Sequence, residues 1–286
     1  MTKKAAKNKS WVGVAGRIIA RIFLLFNLFM VVYPLLWNIL SSFKTNKEIL
    51  TSPWTLPSGL ALDNYVRAFT KAKMGEYALN SFMIVIVALA VLLFFSVPSA
   101  YIIAKFKLKF LSFVRNTYMA CLFIQASLIL IPLFTMINQL HLTDNRMVLA
   151  VILGVSGVPF STFLLIGYVK GISREYEYAA MIDGCSYLAI LTKIIIPMVK
   201  PAIVTIAILN FFNFFNEYYL TFTLISSDSK KTLPVGMMNL YEVQRYATDW
   251  GALFAGLVII LIPTAIIYAF GQKTLTSGMS VGGLKG

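Results

Sequence analysis

The side chains that could carry out chemistry in this sequence are few, and a serine is the first to consider. Gly154-Val155-Ser156-Gly157 matches the GxSG pattern that presents the nucleophile of some intramembrane proteases. A serine nucleophile needs a base within hydrogen-bond reach. The one histidine, His141, precedes this serine and falls outside the apolar segment that contains it. We therefore interpret Gly154 and Gly157 as small residues that allow close helix packing.

The sequence also lacks the residues that metal, redox or nucleotide chemistry would require. A single histidine excludes a multi-histidine metal site, and the two cysteines, Cys121 and Cys185, show no CxxC spacing. The sequence contains no GxxxxGK[ST] motif, which excludes ATP binding by a P-loop in this chain. We expect no enzymatic activity, no metal site and no cofactor in this chain.

A polar face inside an apolar segment is the best candidate for a binding surface. Segment 201–225 contains ILNFFNFFNEYYL, in which Asn210, Asn213 and Glu217 recur at i, i+3 and i+7 and therefore share one helical face. Asn216 lies at the edge of that face. A charge within a membrane costs at least about 2.5 kcal/mol, so it normally faces the bundle interior or water. These four residues would line a translocation path or, alternatively, bond a partner subunit across an interface.

Membrane-spanning helices are the elements that must position these residues. Of 286 residues, 59% are hydrophobic and 13% are charged, whereas soluble domains are about 45–50% apolar and about 25% charged. This composition excludes a disordered chain and argues against a soluble globular enzyme. A helix needs about 20 apolar residues to cross a bilayer, and six segments meet that length. The predicted spans are 22–43, 77–104, 116–140, 147–169, 201–225 and 250–272.

The positions of Lys and Arg set the expected orientation. With the N-terminus inside, 16 of the 25 basic residues fall on the cytoplasmic side, and the net charge is +13 inside against +2 outside. We predict an all-α integral membrane protein with six transmembrane helices and both termini in the cytoplasm. A basic N-terminal arm at 1–21 would precede the six-span domain at 22–272, and a tail at 273–286 would follow it. Because topology explains the basic excess, a nucleic-acid partner is not expected.

The polar segment 170–200, between the fourth and fifth spans, has the pattern of two short helices. Ser173 can cap the first helix, and Gly184 can end it, since glycine readily adopts the left-handed conformation. Ser186 can cap the second helix, which Pro197 would end. From these residues alone, the hairpin either lies on the inner membrane face or docks against another protein.

The same segment resembles the EAA loop of bacterial ABC-importer permeases, in which E-A-A-x-x-D-G is followed by I-x-x-P. It reads EYAAMIDGCSYLAILTKIIIPMVKPA here. The matching residues are Ala179, Ala180, Ile182, Asp183, Gly184, Ile194 and Pro197. Tyr178 stands where the family has glutamate, and Glu177 precedes it by one place. Cys185 replaces the usual alanine after Asp-Gly.

Further motifs resemble the maltose-type branch of carbohydrate importers, in its MalG-like half. They are YPLLWNILSSFK with a later NY, AYIIAKF, FNEY, KKTLPVGMMNL and the tail GMSVGGLKG. Phe215 in FNEY departs from the tryptophan of the family pattern W-N-[DE]-[FY]. The motifs occur in the expected order between Tyr33 and Gly286.

The resemblance implies the type I ABC-importer permease fold with a cytoplasmic coupling helix, in the bacterial inner membrane. It implies a MalF-like second permease, two cytoplasmic ABC ATPases that bind ATP and Mg²⁺, and an extracytoplasmic binding protein that delivers a sugar or oligosaccharide. The tail at 278–286 would also reach towards an ATPase. The residues implied in ATPase coupling are Glu177, Ala179, Ala180, Asp183, Gly184 and Pro197.

Two other transporter classes compete with a sugar importer. One is a related ABC importer for a non-sugar solute. The other is an ion-coupled secondary carrier, which usually places several ionisable groups in mid-membrane. The predicted spans contain one such group, Glu217, so the carrier is the weaker alternative.

Overall fold

A computed structural model of the chain describes residues 2–124, 126–243 and 249–282. Within these residues the secondary structure is helical throughout, with fourteen α-helices, one π-helical turn and one 3-10 turn. The α-helices are α1 (Thr2–Ser41), α2 (Asn46–Thr51), α3 (Asp63–Thr70), α4 (Met74–Lys105), α5 (Lys109–Cys121), α6 (Ala126–Gln139), α7 (Arg146–Lys170), α8 (Glu175–Ile182), α9 (Tyr187–Ile190), α10 (Ile196–Met198), α11 (Lys200–Phe215), α12 (Tyr219–Leu224), α13 (Leu233–Val243) and α14 (Trp250–Gly282).

Four of the described helices contain unbroken segments that are long and apolar enough to cross a bilayer. These segments are Gly13–Ser41, Met74–Lys105, Arg146–Lys170 and Trp250–Leu275. A fifth candidate consists of Tyr187–Met198 and Lys200–Phe215, which meet at an angle of 76°. The described residues therefore form an all-α membrane protein with four or five candidate spans.

Two of the six predicted spans differ from the single helices that we expected. Segment 116–140 is divided between α5 and α6, because Leu122, Phe123 and Ile124 form tight turns in which each backbone N–H bonds the carbonyl three residues earlier. Segment 201–225 is interrupted after Phe215, where α11 ends, and resumes as the short helix α12. Apolar length alone predicted continuity at both places.

The smaller of two compact units combines the described residues of Met1–Ala68 and Gln244–Val258. Its centre is the buried Asn64, whose Nδ2 donates to the carbonyls of Ser42 and Lys44 at 2.7 and 2.8 Å. The start of α14 lies against this amide, since a Cβ at Gly251 would meet the Asn64 side chain. Arg67 adds an ion pair with Asp249, with Nε and Oδ2 2.5 Å apart.

The larger unit combines the described residues of Phe69–Val243 and Ile259–Gly286, and α4 packed along α7 is its centre. The two helices approach closely at Gly154, where an added Cβ would lie 2.6 Å from the carbonyl oxygen of Ala88. An added Cβ at Gly157 would collide with Leu92. The interpretation of these glycines as packing residues is confirmed. The Ser156 hydroxyl donates to the Leu153 carbonyl of its own helix at 2.8 Å.

A polar cluster connects the loop before α7 to the loop after α12. The Asp144 carboxylate accepts hydrogen bonds from the backbone N–H groups of Ser226 and Ser227 and from the Ser227 hydroxyl. Lys230 Nζ lies 2.7 Å from Asp144 Oδ2. The Lys230 ammonium, and then the Ser227 donors, hold the pKa of Asp144 well below its ordinary value. This cluster fixes the connection between α12 and α13.

Helix α1 presents an apolar surface that the described residues leave exposed. None of the apolar window within Gly13–Ser41 is buried, although the helix contains Ile22, Phe23, Leu24 and Leu25 in sequence. An apolar patch of this extent requires lipid or another protein to cover it.

Candidate functional site

The segment between α7 and α11 forms the two short helices that the sequence predicted. Helix α8 ends at a turn in which Gly184 has a φ of 78°, which is the left-handed conformation. The Gly184 N–H bonds the Met181 carbonyl, and the Cys185 N–H bonds the Ala180 carbonyl at 2.9 Å. This pair of bonds is the Schellman arrangement that satisfies the last carbonyls of a helix. The Ser186 hydroxyl then caps α9 by accepting from the Ala189 N–H.

The two ends of this segment differ in detail from the prediction. Ser173 does accept a hydrogen bond from the Glu175 N–H at 3.3 Å, but Arg174 is the residue that directly precedes the helix. Pro197 does not end the second helix, which continues to Met198. The π-helical turn Leu191–Ile195 precedes the proline and bonds Ile196 N–H to the Leu191 carbonyl. A single-turn π-helix absorbs an extra residue, so the helix tolerates the proline and bends afterwards.

Glu177 on α8 lies in the interior of the larger unit, not on its surface. Its Oε1 is 2.8 Å from Lys105 Nζ at the end of α4, and the side chains are 8% and 5% exposed respectively. The Tyr101 hydroxyl donates to Glu177 Oε2 at 3.2 Å. Lys105 also donates to the Ile172 carbonyl at 2.7 Å, and Arg174 donates to the Lys105 carbonyl at 2.6 Å. This arrangement, the Lys105–Glu177 cluster, fastens the start of α8 to the end of α4.

The other predicted coupling residues divide between the interior and the surface. Ala180 is buried within this chain, whereas its neighbour Ala179 is exposed. Asp183, Gly184 and Pro197 are exposed as well. The structure therefore brings Ala179, Asp183 and Gly184 together on one open end of α8, and separates Glu177 and Ala180 from them.

Large apolar side chains are exposed on α8 and on the following helix α9. Ile182 is 86% exposed, Leu188 is 70% exposed and Tyr178 is 55% exposed. We name the exposed residues Tyr178, Ala179, Ile182 and Asp183 the α8 face. An apolar surface of this kind, next to a charged group, is typical of a protein-docking site.

The sequence did not identify Lys105 and Tyr101 as functional residues. Both lie in AYIIAKF, where Lys105 is one of the 16 basic residues on the predicted cytoplasmic side. Their i, i+4 spacing at the end of a span was the available signal, because it puts a phenol and an ammonium on one helical face. Nothing in the sequence alone joined that face to Glu177.

The polar residues of segment 201–225 do not form one continuous stripe, because the helix that would carry it ends at Phe215. Asn210 is buried, and its Nδ2 donates to Ser161 Oγ on α7 at 3.1 Å. Asn216 is exposed and donates to the Phe212 carbonyl of its own helix. These two residues therefore do not share a surface with each other.

Glu217 caps the helix that follows it. Its Oε1 accepts from the Leu220 N–H at 2.6 Å, and its Oε2 accepts from the Thr221 N–H at 2.9 Å and the Thr221 hydroxyl at 2.8 Å. A carboxylate at this position satisfies the free N–H groups at the start of α12 and interacts favourably with the helix dipole. Sequence reasoning treated this charge as part of a helix interior and missed the cap.

A cavity of about 170 Å³ brings Asn213 and Glu217 together. The wall of the cavity also includes Ser156 of α7 and the exposed Tyr219 of α12. We name it the α11–α12 cavity. Four polar residues, Asn213, Glu217, Ser156 and Tyr219, lie in its wall among leucine and phenylalanine side chains, and the Glu217 carboxylate there is already engaged in capping α12.

No metal site accompanies these surfaces. In the part of the chain that the structure describes, no three His, Cys, Asp or Glu side chains lie close enough together to hold a metal ion.

Comparison with known proteins identifies the family. Residues 96–281, which include α8 and the α11–α12 cavity, match the family described as "Binding-protein-dependent transport system inner membrane component". The chain belongs to this family. Membership makes the chain one membrane component of a multi-part transport system. The α8 face is therefore a candidate contact with another component of that system.

Individual relatives of this transport component match over most of their length. The chain is 33% identical to the sulfoquinovosyl glycerol transport system permease protein SmoH of Agrobacterium fabrum, over 89% of both chains. It is 31% identical to the diacetylchitobiose uptake system permease protein NgcG of Streptomyces coelicolor, over 88% of this chain and 84% of the relative. It is 32% identical to the arabinooligosaccharides transport system permease protein AraQ of Halalkalibacterium halodurans, over the whole of both chains.

A solved structure supports the same fold for this transport component. A chain in the crystal structure of a bacterial ABC transporter that imports the acidic polysaccharide alginate superposes with a TM-score of 0.79 at 23% identity. The match covers 90% of this chain and 95% of that chain.

Proposed function

We propose that this chain is the permease subunit of an ATP-driven ABC importer for a sugar or oligosaccharide. The observation that carries the proposal is the full-length similarity to permeases named for glycoside and oligosaccharide transport. The cavity that contains Asn213 and Glu217 is a candidate place for the solute, because it combines an apolar wall with a small number of polar residues. An importer of the same family for a non-sugar solute is the alternative.

Six spans with both termini in the cytoplasm are the topology that we propose. The four unbroken spans supply most of it. The divided segment α5–α6 and the interrupted segment α11–α12 would supply the other two. Short breaks within membrane segments are tolerated where neighbouring helices bury the freed backbone groups. The charge asymmetry of +13 to +2 supports this orientation.

The proposed assembly contains a second, MalF-like permease, two ABC ATPases and a solute-binding protein. ATP and Mg²⁺ would be bound by the ATPases, since this sequence has no P-loop. The α8 face would dock into an ATPase through Tyr178, Ala179 and Ile182, with Asp183 and Pro197 at its margins. The open apolar surface of α1 would be covered by the partner permease and lipid. The tail at 278–286 falls partly outside the described residues.

In this assembly the Lys105–Glu177 cluster would transmit movement of the coupling helix to span α4. Glu177 and Ala180 then act inside this chain, and the exposed residues make the contact with the ATPase. A buried ion pair between the two helices suits that role, because a rigid connection makes α4 move when α8 is displaced.

Reconstitution tests the proposed function directly. The complete transporter in proteoliposomes, with ATP enclosed and the sugar outside, should accumulate the sugar only when its binding protein is present outside. A screen of sugars against the cognate binding protein identifies the solute. Uptake that is independent of ATP, or a binding protein that takes only non-sugar solutes, would overturn the sugar proposal.

A further inference from the structure

A large cavity in the larger unit lies on the α8 side of the α11–α12 cavity, with Leu209 in its wall one helical turn before Asn213. Its volume is about 660 Å³, and α5, α7 and α11 form its walls. We name it the α5–α7–α11 cavity. Arg115 and Lys170 lie at one end of the cavity. Further along the three helices, the wall is apolar and includes Met119, Phe163 and Leu209. Phe163 precedes Lys170 by seven helical residues, which is roughly 10 Å along the axis.

A second cavity continues from the charged end. Its volume is about 350 Å³, and Arg115 lies in the wall of both cavities. Its other basic residues are Lys107, Lys109 and Arg174, and no acidic residue lines it. None of these four cations forms an ion pair with a carboxylate among the residues that the structure describes. The cavity therefore concentrates positive charge that no carboxylate of the described residues neutralises by an ion pair.

Arg115 itself lacks part of its expected hydrogen bonding. Its Nε is buried, and no hydrogen-bond partner for this atom lies in the described part of the chain. A buried N–H without an acceptor is costly, and a guanidinium favours the paired oxygens of a phosphate. The unfilled donor thus points to an anionic oxygen at the junction of the two cavities.

We propose that the two cavities together bind one anionic phospholipid of the surrounding bilayer. The phosphate lies at Arg115, with Lys107, Lys109 and Lys170 around it, and an acyl chain extends along Met119, Phe163 and Leu209. The apolar cavity continued by a basic one matches the two ends of a lipid molecule. Basic pockets between transmembrane helices are a known chemistry for anionic headgroups. The site lies on the α8 side of the membrane, next to Arg174 and the Lys105–Glu177 cluster.

Lipid binding to the complete purified transporter tests the proposal. The complex is titrated with phosphatidylglycerol and, separately, with the zwitterionic phosphatidylcholine, and the bound lipid is measured by native mass spectrometry. Phosphatidylglycerol should bind more tightly than phosphatidylcholine, and Arg115→Gln should weaken its binding about fivefold. The Lys107→Gln, Lys109→Gln double variant should weaken binding further, while phosphatidylcholine binding stays the same. Lys193→Gln is the matched control, because Lys193 is an exposed cation that lines neither cavity.

A separate variant tests the acyl end. Gly167 lines the apolar cavity and has open space where a Cβ would project, so Gly167→Leu fills the cavity without a collision inside the chain. It should reduce phosphatidylglycerol binding while all the cations remain. Displacement of the lipid by glycerol 3-phosphate, together with an unaffected Gly167→Leu variant, would indicate a small-anion site and overturn the lipid proposal.

Two further results would also overturn it. One is equal retention of phosphatidylglycerol by the wild type and by Arg115→Gln. The other is a photo-crosslinker at position 167 that reacts with the partner permease in the assembled complex and not with lipid, because the cavity would then hold a protein helix.

Discussion

The ammonium of Lys105 lies 2.8 Å from the carboxylate of Glu177, and both side chains are more than nine-tenths buried. Removing two charges from water is expensive, so such a pair adds little net stability compared with apolar residues of similar volume. Removing one partner alone, however, leaves a buried charge uncompensated. The pair therefore joins α4 and α8 in one defined geometry, and its value to the protein is positional.

Neutralising Glu177 should uncouple α8 from α4. Glu177→Gln leaves Lys105 buried without a counter-charge, a loss of about 3–5 kcal/mol when a buried pair is broken. We expect ATP-driven uptake to fall by at least about tenfold and the amides of α8 to exchange hydrogen faster. The assembled complex provides both measurements. Glu175→Gln is the control, since Glu175 is an exposed acid on the same helix.

Replacing both charged residues with apolar ones shows whether the unpaired buried charge is what loosens α8. The Lys105→Met, Glu177→Met double variant should recover slow exchange in α8, because no buried charge remains. Equal uptake by Glu177→Gln and Glu175→Gln would show that the buried pair has no role in coupling.

The turn at Gly184 should tolerate few replacements. Its φ of 78° is unfavourable for residues with a Cβ, and most of all for a β-branched residue. Gly184→Val should therefore displace α9 and abolish uptake and ATPase co-purification, while membrane insertion continues. Gly184→Asn is the matched control, because asparagine adopts the left-handed conformation at lower cost. Normal uptake by the valine variant would mean that this turn does not set the docking geometry.

How far the sequence predicted the structure can be seen at this loop and at segment 201–225. Local rules predicted the glycine turn and the Ser186 cap, because both depend on neighbouring residues only. Apolar length could not show the break after Phe215, since the residues on both sides are equally apolar. The cap that Glu217 provides depends on the break, so it could not be predicted either.

Which coupling residues are buried could be determined only from the tertiary structure. Glu177 and Ala180 are three residues apart, and both face the interior, whereas Ala179 between them faces outward. Helical periodicity allows this division but does not select which face is buried. Contacts with Lys105 and Tyr101, which are more than 70 residues away along the chain, determine which face of α8 is buried.

Asp144 should make the loop before α7 sensitive to acid. Its pKa is lowered in the folded state, so its contribution to stability is present above its unfolded pKa of about 4 and is lost as the pH falls through the folded value. Thermal unfolding of the purified complex should show Asp144→Asn to be less stable than wild type at pH 7, with a smaller difference below about pH 4. Glu76→Gln, at an exposed acid, is the control. A difference that does not change with pH would exclude this role for the carboxylate.

The proposed orientation can be tested with cysteine labelling. A variant without Cys121 and Cys185 carries a single cysteine at Ser229, which is exposed in the turn before α13. An impermeant thiol reagent should label this position in right-side-out vesicles and not in inverted vesicles. A chain that keeps only the half-buried Cys185 should show the opposite pattern. Labelling of Cys185 from outside would overturn the orientation.

The solute path can be separated from simple helix packing by comparing Asn213 with Asn216. Both residues are exposed, but Asn213 lines the α11–α12 cavity, whereas Asn216 lies outside its wall and bonds its own helix. If the cavity holds the solute, Asn213→Ala removes a hydrogen bond worth about 0.5–1.5 kcal/mol and should lower uptake up to about tenfold or alter selectivity. The complex should still assemble and hydrolyse ATP, and Asn216→Ala should behave as wild type.

Glu217 requires a more careful comparison, because it caps α12 as well as lining the same cavity. Glu217→Gln keeps one acceptor for the helix start, so it should change transport more than assembly, whereas Glu217→Ala should loosen α12 itself. If these residues instead bond the partner permease, the variants should dissociate in detergent before transport can be measured. A triple variant with Asn210→Ala, Asn213→Ala and Glu217→Gln that assembles fully and transports at the wild-type rate would exclude both roles, and would leave Asn210 as a packing residue against Ser161.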